Sequence, residues 1–154
     1  ALNSLADNKK LARISKTPGR TTEINFFEVE EGYKLLDLPG YGFAKSGQSR
    51  IKDWGSLLGE YFANRKALKG VLIFMDIRHP LKPIDLEMIK LCESFNIDYV
   101  AVLTKSDKVS KNLEAKTIHQ VSNITNAIEI LAISSLKKKG FEKLRQVLIG
   151  FKDE

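Results

Sequence analysis

The chain has 154 residues, of which 43% are hydrophobic and 29% charged. That is about one domain's worth of chain, with enough apolar side chains for a buried core. The composition excludes a disordered tail and a disulfide-stapled miniprotein. No apolar run approaches the ~18 residues of a bilayer-spanning helix, so no membrane association is expected. Lysine plus arginine outnumber aspartate plus glutamate by 25 to 19, a basic balance that permits a polyanionic partner such as RNA without demanding one. The single cysteine, Cys92, has no internal disulfide partner, and a reducing, cytoplasmic setting is expected.

In chain order, Leu2 and Leu5 stand at the i, i+3 spacing of a helix already under way, ending near the polar run Asp7-Asn8-Lys9-Lys10. With no initiator methionine ahead of Ala1, the sequence is expected to start inside an element whose beginning lies upstream. Residues 22–29 carry Ile24, Phe26 and Val29 among polar neighbours and predict a strand. Glu30-Glu31-Gly32 turns into a second strand over 33–38, so residues 22–38 are expected to form an antiparallel hairpin. A Gly/Ser-rich loop over 39–50 follows. Ile51, Trp54, Leu57, Leu58, Tyr61 and Phe62 then recur at helical spacing.

Beyond Gly70 the rhythm changes. Residues 71–75 and 99–103 are continuous apolar runs of strand length, and 128–133 is a slightly more mixed third. Helical stretches lie near 84–95 and 111–122. A last helix over 140–151 places Phe141, Leu144, Val147, Leu148 and Phe151 on one face. Short apolar strands alternating with helices predict one α/β domain of three layers: a mostly parallel sheet with helices on both faces and one antiparallel hairpin.

Ligands of such sheets bind outside the carboxyl ends of the strands, and polar tags stand at those ends. They are Asp37-Leu38-Pro39-Gly40, Asp76-Ile77-Arg78-His79, Thr104-Lys105-Ser106-Asp107 and Ser134-Ser135. An aspartate just past a strand can accept from the N1–H and N2–H₂ edge of guanine, each charge-assisted bond contributing about 1.5–3 kcal/mol. Adenine presents an acceptor there and is rejected. Lys105 can lay its methylene stem along the base. Asp37 can hold the hydration shell of Mg²⁺, and Gly40 lets backbone approach a terminal phosphate. Ser134-Ser135 can offer backbone amides to a purine carbonyl, and Thr21 a hydroxyl to a metal ion. Each tag alone also fits a plainer reading: an N-cap aspartate at 107, a Pro-Gly turn at 39–40, helix-capping serines at 134–135, a generic turn at Thr21. Arg78 and His79 could face a partner or the loop after Asp37, but a solvated strand end is the favoured expectation, and His119 and Cys92 are expected to be structural. Lys137-Lys138-Lys139, with Lys9-Lys10 and Arg13, fits either RNA phosphates or a solvated face. No His/Cys cluster has zinc spacing.

Longer strings carry a family resemblance. They are Leu11-Ala12-Arg13 with Ser15-Lys16-Thr17-Pro18-Gly19-Arg20-Thr21, then Asn25-Phe26-Phe27, Asp37-Leu38-Pro39-Gly40-Tyr41-Gly42-Phe43-Ala44, Met75-Asp76-Ile77-Arg78-His79-Pro80-Leu81-Lys82 and Ser134-Ser135-Leu136-Lys137-Lys138. Through them the chain resembles the EngB (YihA/YsxC) family of bacterial GTP-binding proteins, within the TRAFAC class of P-loop GTPases. The resemblance implies a P-loop GTPase-like fold over 1–154. The family's first strand and G-x-x-x-x-G-K-S phosphate loop stand ahead of the helix on which this sequence opens, and are expected upstream of it. It implies GTP or GDP as ligand with Mg²⁺. Thr104, Lys105, Ser106 and Asp107 would serve base recognition, and Ile133, Ser134 and Ser135 would supply amides to the base. Gly19, Arg20, Thr21, Thr22 and Glu23 would form the first switch, with Thr21 as the magnesium ligand. Asp37, Leu38, Pro39 and Gly40 would open the second, with Asp37 reaching Mg²⁺ through water. The family usually has glutamine where Thr22 stands. Tyr41 occupies the position after Asp37–Gly40 where many small GTPases carry glutamine, so slow hydrolysis is expected and the catalytic residue stays unassigned. The implied role is a monomeric cytoplasmic switch assisting assembly of the large ribosomal subunit, through its RNA or protein, and tied to cell division and septation. A non-enzymatic α/β module docking on RNA or protein through its basic surface is the rival expectation.

Overall fold

The computed structural model describes residues 25–30, 33–37, 63 and 68–152. Two compact units divide the chain, Ala1–Lys52 and Asp53–Glu154. In the first, β1 (Asn25–Glu30) and β2 (Tyr33–Asp37) pair antiparallel, with Asn25 opposite Asp37 and Phe27 opposite Leu35. The register shifts between Glu28 and Glu30. The expected helix over 51–62, and the loops at 16–23 and 38–50, lie outside the described residues.

The second unit holds a three-stranded parallel sheet in the order β3 (Val71–Asp76), β4 (Tyr99–Thr104), β5 (Glu129–Ala132). Parallel neighbours need crossovers, and helices supply them. Helix α1 (Pro83–Ser94) joins β3 to β4, α2 (Lys111–Ile124) joins β4 to β5, and α3 (Phe141–Lys152) follows β5. Val100, Ala101, Val102 and Leu103 are each 0% exposed. Successive strand residues face opposite sides of the sheet, so both faces of the central strand are covered. This is why β4 reads as an unbroken apolar run rather than an alternating one. Ile73 and Met75 of β3, Leu131 of β5 and Ile133 just beyond it extend the core. Helix α1 packs against β3 and α2 against β5.

The helix starts are set locally. Pro83 opens α1, where its missing N–H costs nothing, and the buried Asp85 carboxylate accepts from the Lys82 backbone N–H at 3.0 Å. Ser110 caps α2 by accepting from the Leu113 N–H at 3.2 Å. Gly140 precedes α3 at φ +87°, and a Cβ there would lie 2.5 Å from the Ala132 carbonyl oxygen, so only glycine turns this corner without strain. Helix α3 buries Phe141, Leu144 and Phe151, with Val147 and Leu148 half-buried on the same face. The Phe151 ring lies against Gly70, its Cζ 2.6 Å from where a Cβ would stand.

The amino ends of the strands are tied by a polar knot. The Tyr99 hydroxyl donates to Glu93 Oε1 at 2.6 Å and accepts from the Asn126 backbone N–H at 2.9 Å. Burial and the Glu93 carboxylate push the Tyr99 phenol up to about 12. Cys92 is wholly buried in α1, and desolvation pushes its thiol up to about 12 as well, in keeping with an inert packing residue. His119 is exposed on α2. No helix among the described residues is long and apolar enough to cross a membrane.

Candidate functional site at the carboxyl ends of the strands

Parallel register brings the three carboxyl ends together. Asp76 stands beside Thr104 across the β3–β4 pair, and Leu103 beside Ala132 across β4–β5. The loops beyond continue the stitching: Ile77 N–H donates to the Thr104 carbonyl (3.0 Å), Ser106 N–H to the Ile133 carbonyl (3.0 Å), and Thr104 Oγ1 to the Met75 carbonyl (3.2 Å). Three loops distant in sequence therefore form one polar rim on an apolar base.

Lys105 turns the chain out of β4 in the left-handed region, at φ 59° and ψ 39°, and Ser106–Lys108 form a single 3-10 turn. This turn holds Asp107 ahead of α2. The α2 cap is Ser110, so Asp107 is not the helix cap that a plain loop would make of it. Its Oδ1 instead accepts from Ser134 Oγ at 2.6 Å. That bond, ahead of its own backbone N–H and the charges of Lys108 and Lys137, holds the Asp107 carboxyl below the usual carboxylate range. Asp107 is ionised at neutral pH, and a carboxylate has about four lone-pair sites, of which Ser134 takes one.

Ser134 is fully buried and organises its own loop. Its hydroxyl donates to Asp107 and accepts from the Lys137 N–H at 3.1 Å, while its backbone pairs with Lys139 in both directions at 3.0 Å. The capping reading of this serine applies to its own turn and not to α3. Of the three amides expected to face a base, two are committed elsewhere. Ile133 N–H donates to the Leu103 carbonyl at 2.8 Å and Ser134 N–H to the Lys139 carbonyl, because the β5 pairing runs on through Ile133 and a two-residue bridge closes the loop. Ser135, exposed, keeps an N–H for which no described residue is the acceptor.

A second acid completes the rim. Arg78, favoured as a solvating strand-end residue, folds back on Asp76: its Nε reaches Oδ1 at 3.1 Å, its Nη2 reaches Oδ2 at 2.9 Å, and its backbone N–H reaches Oδ1 at 2.9 Å. Lys105 Nζ adds a contact to Oδ2 at 3.4 Å. Arg78, ahead of Lys105, holds the Asp76 carboxyl well below the usual range. Sequence reasoning missed this cluster. Its one visible signal was an Asp-x-Arg spacing directly after a buried strand. His79 is exposed. Of the lysine run, Lys139 pairs with Glu114 at 3.5 Å, and Lys137 and Lys138 are exposed beside Leu136, itself 72% exposed.

Gly19–Glu23 and Leu38–Gly40, named above as switch residues, lie outside the described residues, and Asp37 is described only as the last backbone position of β2. Among the described residues no cluster of three or more His, Cys, Asp or Glu is placed to hold a metal ion.

The model of the family described as 50S ribosome-binding GTPase matches residues 1–105. A probable GTP-binding protein EngB of Sodalis glossinidius is 45% identical over 152 residues, covering 96% of this chain and 72% of that protein. Its namesake in Salmonella newport (strain SL254) is 46% identical over the same shares. Among solved structures, a probable GTP-binding protein engB superposes with a TM-score of 0.74 at 21% identity, over 99% of this chain and 91% of that one. The elongation factor SelB of Methanococcus maripaludis, solved with the GTP analogue GppNHp, superposes at 0.60 and 23% identity, over 87% of this chain and 29% of its own. These two likenesses show the P-loop GTPase fold, and the relatives and family model show the kinship: this chain belongs to the EngB family of GTP-binding proteins.

Proposed function

We propose that this chain is a guanine-nucleotide switch that binds GTP and GDP and hydrolyses GTP slowly. The observation that carries the reading is the Asp107 carboxylate, ionised and fixed by Ser134 beyond a buried strand. It accepts from guanine N1–H and N2–H₂, and the Ser135 N–H donates to the purine carbonyl. The Lys105 stem covers one face of the base. Thr104 Oγ1, tied to the Met75 carbonyl, holds the loop's first residue against β3.

The phosphates are read by segments outside the described residues. Gly19, Arg20, Thr21, Thr22 and Glu23 form the first switch and Asp37, Leu38, Pro39 and Gly40 open the second. Mg²⁺ is a hard cation that takes oxygen donors and keeps several waters. The Thr21 hydroxyl, and the Asp37 carboxylate through water, are a fitting donor set for it. Bound there it would neutralise phosphate charge. The γ-phosphate orders the two switches, and its loss releases them. Tyr41 lacks the amide with which a glutamine orients water, which supports slow intrinsic turnover. The partner of the switch is the large ribosomal subunit, in keeping with the family model's description, with exposed Lys137 and Lys138 available to RNA phosphates. The protein acts as a cytoplasmic monomer in subunit assembly, and cell division and septation depend on it through that step.

Thermal unfolding of the full-length protein tests the reading. GDP at 100 times its Kd is expected to add about 2.7 kcal/mol, and ADP at the same concentration nothing. Equal stabilisation by both would mean that Asp107 does not select guanine, and stabilisation by neither would replace the switch with a nucleotide-independent docking module.

A further inference from the structure

We infer that Asp76 is a positioning residue of the base pocket: clamped by Arg78, its carboxylate anchors the Lys105 ammonium and so sets where the Lys105 stem lies. The inference rests on the nucleotide reading above and extends it to a residue outside the loop that touches the base.

The order of the contacts makes the argument. Arg78 makes three of the four contacts to Asp76, all from two residues away. The carboxylate is thus oriented within the loop after β3, before any residue of the β4 loop is needed. Strand register then places Asp76 opposite Thr104, next to Lys105, whose Nζ meets the already fixed Oδ2 at 3.4 Å. The Asp76 side chain is 17% exposed and that of Lys105 58%. The anchor is therefore the rigid partner and the lysine the adaptable one. A lysine stem carries several rotatable bonds, and a left-handed backbone at Lys105 fixes only its origin. Tying the far end to Asp76 fixes both ends of the stem and leaves its methylenes as a preformed wall. Charge points the same way. Arg78 and Lys105 converge on one acid, and removing that negative charge leaves two cations side by side, which repel. The mobile one, Lys105, swings out.

The test is a double-mutant cycle in the full-length protein, titrating fluorescent GDP and following the nucleotide-free melting midpoint. Asp76→Asn is expected to weaken GDP about fivefold and Lys105→Met about tenfold, with the pair no weaker than Lys105→Met alone, since the acid acts only through the lysine. Asp76→Asn gives up a carboxylate that Arg78 and Lys105 hold in the fold, so its melting midpoint is expected to fall below that of the parent. Arg78→Gln therefore carries the same test: a loss of about twofold to threefold that vanishes in the Lys105→Met background. Losses that multiply, or an Asp76→Asn protein with parental affinity, would overturn the inference while leaving the nucleotide reading in place. A parent protein that takes up no GDP would bring down the nucleotide reading, and this inference with it.

Discussion

Ser134 Oγ donates to Asp107 Oδ1 at 2.6 Å across 27 residues of sequence. A buried hydroxyl at the end of β5 thereby orients an acid at the end of β4. Ser134→Ala leaves the carboxylate free to rotate and the Lys137 N–H without its acceptor. GDP affinity is expected to fall about fivefold, and the loop 134–139 to exchange its amide hydrogens faster. Calorimetric titration and hydrogen exchange read the two effects.

Asp107→Asn exchanges an acceptor for an amide that offers N–H to the base edge. Guanine loses its pair of charge-assisted bonds, and xanthine, with a carbonyl where guanine has its amino group, gains a partner. GDP affinity is expected to drop at least tenfold, and xanthosine diphosphate to bind better than GDP. Guanine preference surviving the substitution would show that the base sits elsewhere.

Gly140→Ala forces a side chain into the left-handed region, with its Cβ 2.5 Å from the Ala132 carbonyl oxygen. The expected cost is about 1–3 kcal/mol of stability, read as a lower denaturant midpoint at unchanged slope. Gly150→Ala is the control: a Cβ there meets nothing within 4 Å, and replacing a helical glycine by alanine is neutral or stabilising.

The protein is expected to lose stability as pH rises from about 9 to about 12. Cys92 and Tyr99 have ordinary values of 9.0 and 10.0 and are each pushed up to about 12 in the fold. Across that window the unfolded chain has released protons that the folded chain retains, so stability falls with pH. The contribution is fully present below pH 9. Guanidinium midpoints measured across the range check this, and Tyr99→Phe should flatten the slope. Asp76, Glu93 and Asp107 shift the opposite way. Their contribution is present above the ordinary carboxylate range and lost on acidification through their lowered values.

The parallel sheet was legible because β4 is buried on both faces and therefore apolar without interruption, a pattern that no half-exposed strand shows. Asp107 stood out as a candidate because it lies just past such a run, where the carboxyl ends of parallel strands gather polar chemistry, although an N-cap explained it equally well. What the sequence hid is everything decided by register. The bonds that the Ile133 and Ser134 amides make to Leu103 and Lys139 depend on which strand and turn lie beside them. Arg78 read as a solvated strand end, because its bond to Asp76 depends on the loop folding back and the Lys105 contact on which strand lies beside β3.

The seat of Phe151 on Gly70 bears on how the protein is made. Synthesis delivers Gly70, and with it the entry to β3, long before it delivers the ring that covers that entry. During translation the growing chain can therefore pair β3 with β4 and then β5 before the ring that packs on Gly70 exists.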